Sequence, residues 1–417
     1  MIEIDLRVMP MPFRRFASRL ARGLSVLAIA AVPVLVSAPS YADAGFQRWI
    51  KDFRSVALRN GIRPATYDLA FRGVTDPDRE VLRKANNQAE FKAPIWQYID
   101  NQVNEDTIAM GKAMKRKYGS VLSRIEKRFG VPAEVVLAIW SIESQYGEYL
   151  KKTDRLHYAP QALATLAYAD RRRAKFARGQ LIGALKILQS GNIDRRHLAS
   201  SWAGAMGHTQ FIPTSYLAYA VDFDGDGRKD IWNSVPDALA TAANLLKRNG
   251  WETGRTWGYE VVLPKNGKKF YGGWQSLRAW EQAGIRRTHG RQFTINDKAT
   301  LKVPDGRNGP AFLAVKNFQV LKRYNNADKY ALSVAILSDR LAGYDELYAD
   351  WNRPFEPLNS REKRELQSHL ARHGLYDGAI DGKIGGGTMG AITAFQSRTG
   401  LTVNGFPSME VLNKLRR

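Results

Sequence analysis

From residue 45 to residue 250 the chain carries apolar side chains three and four positions apart, a spacing that gathers them on one face of successive helices and that strands cannot use. Two breaks interrupt it, a glycine-rich run at 204–207 and an acidic loop at 222–230. Residues 259–263, 293–295 and 311–315 read as strands set among Gly, Pro and Asn, so 251–315 predicts a small β-containing insertion. Helical spacing returns over 318–341. Residues 348–357 then form a polar linker bearing Pro354 and Pro357, and 358–417 make a separate small module. The pattern predicts a mainly α (α+β) protein, and 417 residues are enough for two or three domains.

The net charge of +23 selects an anionic partner without saying whether it is nucleic acid, acidic lipid or wall polymer, and a basic surface serving only solubility is the bland alternative. The N-terminus narrows this. Arg14, Arg15, Arg19 and Arg22 precede an apolar stretch at 24–36, and small residues follow at Ala38, Ser40, Ala42 and Ala44. That is the pattern of a secretory signal peptide over 1–42, cleaved after Ala42 or Ala44, and the stretch is short for a membrane span and holds Pro33. The chain has no cysteine, which excludes a disulfide framework, thiol catalysis and a lipid-bearing cysteine, so no lipid anchor is expected. Export and the lack of a basic, aromatic-interleaved strand motif argue against nucleic acid as the partner.

Pro132 stands where a helix can begin and Gly147 where it can end, with an apolar helix predicted over 133–146. Val136, Trp140 and Glu143 fall at i, i+4 and i+7, so the carboxyl shares the apolar face. Desolvation there, together with the negative end of the helix dipole, raises a carboxyl pKa, which suits a general acid. A buried glutamate satisfied by Arg or Tyr in a polar network is the structural alternative. The run from Ser201 through Trp202, Gly204, Gly207 and Gln210 to Pro213 adds close backbone approach at its glycines and an amide at Gln210 that can both donate and accept. Such glycines would let a flat sugar lie against the main chain.

The helix motif Ile139-Trp-Ser-Ile-Glu143-Ser-Gln-Tyr-Gly147, the run Ala203-Gly-Ala-Met-Gly-His-Thr-Gln210-Phe-Ile-Pro213, and Arg323-Tyr-Asn-Asn326 ahead of Tyr330 resemble the lytic murein transglycosylase B family over nearly all of 45–347, within a catalytic domain expected over 43–347. The resemblance implies a lysozyme-like helical core, periplasmic action on peptidoglycan glycan strands, and Glu143 as the single catalytic acid and base. It implies glycan subsites lined by Ser201, Gln210, Tyr324, Asn325 and Tyr330, with Arg172 and Arg173 at a further groove position. No second Asp or Glu is recognisable by motif, which fits substrate assistance, and the resemblance implies that the acetamide provides it and that the product is a 1,6-anhydro sugar. A muramidase-type hydrolase and a non-catalytic peptidoglycan-binding scaffold are the alternatives, and the presence of Glu143 weighs against the scaffold.

Asp222, Asp224, Asp226, Gly227, Arg228 and Asp230 occupy positions 1, 3, 5, 6, 7 and 9 of a calcium loop, with Arg228 offering only its carbonyl. Position 12 is Asn233 rather than the bidentate glutamate, and Asp237 is the residue able to close a longer loop. A structural Ca2+ site is expected, with no organic cofactor. In the last module Gly374-Leu-Tyr-Asp-Gly378, Ile380-Asp-Gly382, Phe395-Gln396 and Gly400-Leu401 resemble the three-helix peptidoglycan-binding domain. On a linker, such a module would raise local substrate concentration.

Overall fold

The computed structural model describes residues 43–86, 94–264 and 273–417, so the expected signal peptide lies outside the described residues. The architecture is predominantly helical, with one small five-stranded sheet and a two-stranded ribbon. Among the described residues no helix is long and apolar enough to cross a membrane.

Among the described residues the apolar side chains gather in four clusters, a small one around Val81, Ala162 and Leu166 and three larger ones. The main one is helical and centres on the helix Ala133–Ser144, nine of whose side chains are buried, among them Val136, Leu137, Ile139 and Trp140. A helix buried on nearly all sides needs partners all round. It finds them in Asp328–Ala342, Glu105–Lys117, Gly119–Phe129 and Val235–Arg248. Truncating Trp140 to Ala would cost about 3–5 kcal/mol, the usual range for a buried aromatic. Pro132 is the N-cap itself. At the other end helical geometry stops at Ser144, and Gln145, Tyr146 and Gly147 are all left-handed, with φ of 53°, 56° and 91°. Two successive non-glycine residues in that region carry strain, and here they begin two positions after Glu143.

The insertion has its own core of Val261, Leu277, Trp280, Ile285, Ala299, Leu301, Ala311, Leu313 and Val315. Its antiparallel strands run in the order Gln275–Ser276, Lys298–Lys302, Ala311–Ala314, Gly258–Val262, Arg286–Arg287. The strand expected at 293–295 falls instead at Lys298–Lys302, where buried Ala299 and Leu301 alternate with Lys298, Thr300 and Lys302, which disguise the pattern, while Phe293 and Ile295 pack on the core from a loop.

The third core, around Leu366, Leu370, Ile392, Phe395 and Leu412, belongs to the helices Ser360–Arg372, Gly386–Thr399 and Met409–Leu415. The polar segment 348–357 leading to it packs against the main helical unit. Trp351 is buried in the main core, and Trp96 stands edge-on to both Phe355 and Phe406 at 5.4 Å. Arg353 forks onto Asp100 at 2.5 and 3.1 Å, and Asn101 exchanges two 3.0 Å hydrogen bonds with the backbone of Ile384. Aromatic burial with charge-assisted and reciprocal hydrogen bonds thus joins the module to the main helical unit.

Candidate active site

Glu143 lies in the last turn of the buried helix, its side chain partly accessible but enclosed by dense protein. Tyr330, itself 1 % exposed, donates its hydroxyl to Glu143 Oε1 at 2.6 Å. Burial raises the Glu143 pKa, and the hydrogen bond from Tyr330, which favours the carboxylate, pulls the other way. Burial also raises the Tyr330 hydroxyl well above 10, so it remains a donor throughout the useful pH range. Tyr324 stacks on Tyr330 with ring centres 6.2 Å apart and planes 10° apart, and donates to the carbonyl of Thr209 at 2.6 Å. Glu143, Tyr330, Tyr324 and the loop ending in Gln210 are therefore one connected assembly.

That loop is tied down from both sides. Ser201 is buried, and its hydroxyl accepts from the amides of Ala203 and Ala205 at 3.3 and 3.1 Å. Met206 bridges Ser200 and Phe211 as a short antiparallel patch. Gln210 has φ of 48°, is partly exposed, and turns its amide back onto the carbonyl of Gly207 at 2.9 Å. The glycine reading is corrected: a Cβ at Gly207 would lie 2.4 Å from the Ile231 carbonyl oxygen and one at Gly204 2.6 Å from Leu163, so both serve positive φ and close internal packing rather than a sugar face.

The remaining expected residues distribute as follows. Asn325 follows Tyr324 at the break between two helices, where its side chain accepts from the Ala327 amide at 3.1 Å. Arg173 pairs with Asp170 and lies over the Trp202 ring at 5.6 Å, which connects it to the Ser201 loop. Arg172 is exposed, with its backbone amide on Asp170. A further network joins residues that the motifs left apart: Ser144 donates to the carbonyl of His208 at 2.5 Å and accepts from the Gly147 amide at 3.0 Å, while Trp140 donates its indole N–H to His208 Nδ1 at 3.2 Å. Only the short spacing of Trp140, Ser144 and Gly147 around Glu143 hinted at it.

In the acidic loop, carboxylate oxygens of Asp222, Asp224 and Asp237 lie within 4.8 Å of one another. Asp237, fully buried in the first turn of Val235–Arg248, accepts from the amides of Phe223, Asp224 and Asp230. Burial raises its pKa, those amides lower it, and the charge of Asp224 raises it again. Asp226 is not in this group, and its carboxylate accepts from the Arg228 amide at 2.8 Å.

Residues 45–339 match the family of transglycosylase SLT domains, and residues 360–415 match the peptidoglycan-binding domain family. The membrane-bound lytic murein transglycosylase B of Escherichia coli K12 is 32 % identical over 277 residues, which span 63 % of this chain and 74 % of that protein. SltB3 of Pseudomonas aeruginosa, solved with NAG-anhNAM-pentapeptide, is 39 % identical with a TM-score of 0.69, over 89 % of this chain and 99 % of that one. The Escherichia coli lytic transglycosylase Slt35, solved in complex with calcium, is 27 % identical with a TM-score of 0.59, over 72 % of this chain and 93 % of that one. The acid helix, the Gln210 loop and the tyrosine pair all fall inside the matched stretch, and the chain belongs to the transglycosylase SLT domain family.

Proposed function

We propose that the protein cleaves the MurNAc-GlcNAc β-1,4 bond of peptidoglycan strands as a lytic transglycosylase, with Glu143 as acid and then base. The observation that carries the reading is the Tyr330 hydroxyl 2.6 Å from Glu143 Oε1 beneath a partly open carboxyl. A protonated carboxyl has one hydroxyl and one carbonyl oxygen, so a phenol donating to Oε1 leaves the proton to Oε2. Glu143 gives that proton to the departing GlcNAc O4 as the C1–O4 bond breaks, and the acetamide oxygen of the muramyl residue closes on C1. The muramyl 6-hydroxyl then attacks C1, displacing the acetamide, and its proton returns to the Glu143 carboxylate. No water is consumed. Tyr330 stabilises the carboxylate between the two steps.

Ser201, Gln210, Tyr324, Asn325, Arg172 and Arg173 are assigned to the glycan-facing surroundings of this centre, with Ser201 and Tyr324 bracing its walls. Residues 43–347 form the catalytic unit, 348–357 a strap, and 358–417 a wall-binding module. Asp222, Asp224 and Asp237 suit a structural Ca2+, because a buried carboxylate beside two others is left without a countercharge that a cation supplies. The ion would fix the chain that follows the Gln210 loop. Action on this substrate places the protein in the periplasm, reached through the signal peptide. The test is mass spectrometry of sacculus digests: products ending in 1,6-anhydromuramic acid are expected, and predominantly reducing-end muramic acid would make the protein a hydrolase.

A further inference from the structure

His208 lies one residue from the Thr209 carbonyl that holds Tyr324, and its own carbonyl is bound by Ser144, the neighbour of Glu143. Its ring is fixed in place by two independent contacts. The Trp140 indole N–H points at Nδ1 from 3.2 Å, and the ring lies so close to Gly147 that a Cβ there would come within 2.6 Å of it. An indole nitrogen only donates, so Nδ1 must accept, and a neutral imidazole that accepts at Nδ1 carries its hydrogen on Nε2. Nε2 has no protein acceptor among the described residues, nor is it among the buried polar atoms left without a partner. His208 is partly exposed. The result is an N–H donor of fixed tautomer and direction, open to solvent beside the acid.

We propose that His208 is a substrate-binding residue whose Nε2–H donates to an amide carbonyl of the peptidoglycan strand. The inference rests on the function assigned above, since it is that reading which brings a glycan strand to this wall. Two kinds of amide carbonyl occur on such a strand, the acetamides of the sugars and the amides of the stem peptide, and both present the same acceptor. Burial holds the His208 pKa down to about 4, so the donor keeps one form through neutral pH. Bracing by Trp140 and Gly147 removes the rotamer freedom that a binding side chain would otherwise lose on contact.

Two substitutions separate this role from a structural one. His208→Asn puts an amide where Nδ1 stands, able to accept from Trp140, but has nothing at Nε2. His208→Gln reaches the Nε2 position with a donor and gives up the Trp140 bond. Calorimetry in the Glu143→Gln background, with soluble glycan strands carrying or lacking stem peptides, reads affinity without turnover. A neutral hydrogen bond of usual strength corresponds to about a fivefold weakening for His208→Asn, with melting temperature nearly unchanged. His208→Gln should recover most of the affinity while melting lower. A penalty on stripped strands identifies the acetamide as the acceptor, and a penalty confined to strands with peptide identifies the stem. Equal Kd for His208→Asn and its parent on both strands would overturn the proposal, as would affinity that follows the melting temperature across the two variants. Failure of the otherwise wild-type protein to cleave strands that it binds in a His208-dependent way would overturn the enzymatic reading alone.

Discussion

Glu143 and Asp237 are both carboxyls pushed to raised pKa values by burial, yet their surroundings solve the problem in opposite ways. Around Glu143 stand apolar helices and a phenol, the Tyr330 hydroxyl donating to Oε1. Around Asp237, itself in the first turn of a helix, three backbone amides of the preceding loop point at both oxygens, and two further carboxylates approach within 4.8 Å. Amides and a helix N-terminus favour the ionised form, while neighbouring carboxylates demand a cation. Burial alone therefore does not tell an acid from a ligand. The donors do: the first site is built to hold and release a proton, the second to hold a positive ion.

The largest expected effect breaks the first site. Glu143→Gln should lower turnover about a thousandfold or more, the scale of a lost general acid, with strand binding retained. Its stability should move the other way. A carboxyl whose folded pKa lies above its ordinary 4.5 makes the fold less stable as pH rises from that ordinary value to the folded one, and the deficit persists above it. At neutral pH the amide should thus melt at or above wild type. A clear drop in melting temperature would mean that the ionised carboxylate is a structural member of the core.

Tyr330→Phe is the next test, with about a tenfold loss expected from one hydrogen bond to a charged centre. The pH profile carries the sharper prediction. Activity needs protonated Glu143 and falls as pH rises through its folded pKa, and Tyr330 lowers that pKa. Removing the hydroxyl should move the alkaline limb of kcat/KM to higher pH. A limb that stays in place would show that Tyr330 does not act through Glu143.

How far these sites were legible in the sequence differs with the range of the contact. Glu143 could be found because its helix announces itself within fifteen residues, through Pro132, the apolar run and Gly147. Its partner could be placed in the site but not given a role, since the hydrogen bond from Tyr330 spans 187 positions and a tyrosine on a helix says nothing of what its hydroxyl reaches. The same limit concealed His208, whose Trp140 contact is 68 residues distant. Glycines misled for a related reason: a sequence shows the missing Cβ at Gly204 and Gly207 but not that Leu163 and Ile231 fill the space. The strap at 348–357 read as a polar linker because its prolines and charges are visible, whereas the cavity that receives Trp351 and the Asp100 that meets Arg353 are built elsewhere.

The smallest effect concerns the second site, and it asks whether the two carboxyls are as independent as their chemistry implies. Calcium at about a hundredfold over its Kd would stabilise the folded state by about 2.7 kcal/mol, which for a chain of this size raises the melting temperature by a few degrees. Asp237→Ala should abolish that rise. It removes the buried ligand and also releases the amides of Phe223, Asp224 and Asp230, so the loop loses its frame together with its charge. Asp224→Ala should reduce the rise rather than abolish it, because Asp224 is exposed and its carboxylate also receives the Ser234 hydroxyl, an acceptor role that solvent can take over. Glu143→Gln should leave the rise unchanged, since no hydrogen bond of that carboxyl to the loop is needed to explain either pKa shift. An equal response to calcium in all three variants would remove the metal site. A response lost in Glu143→Gln would instead show the two carboxyls to be coupled, and the contrast between a proton site and a cation site would have to be redrawn as a single charged network.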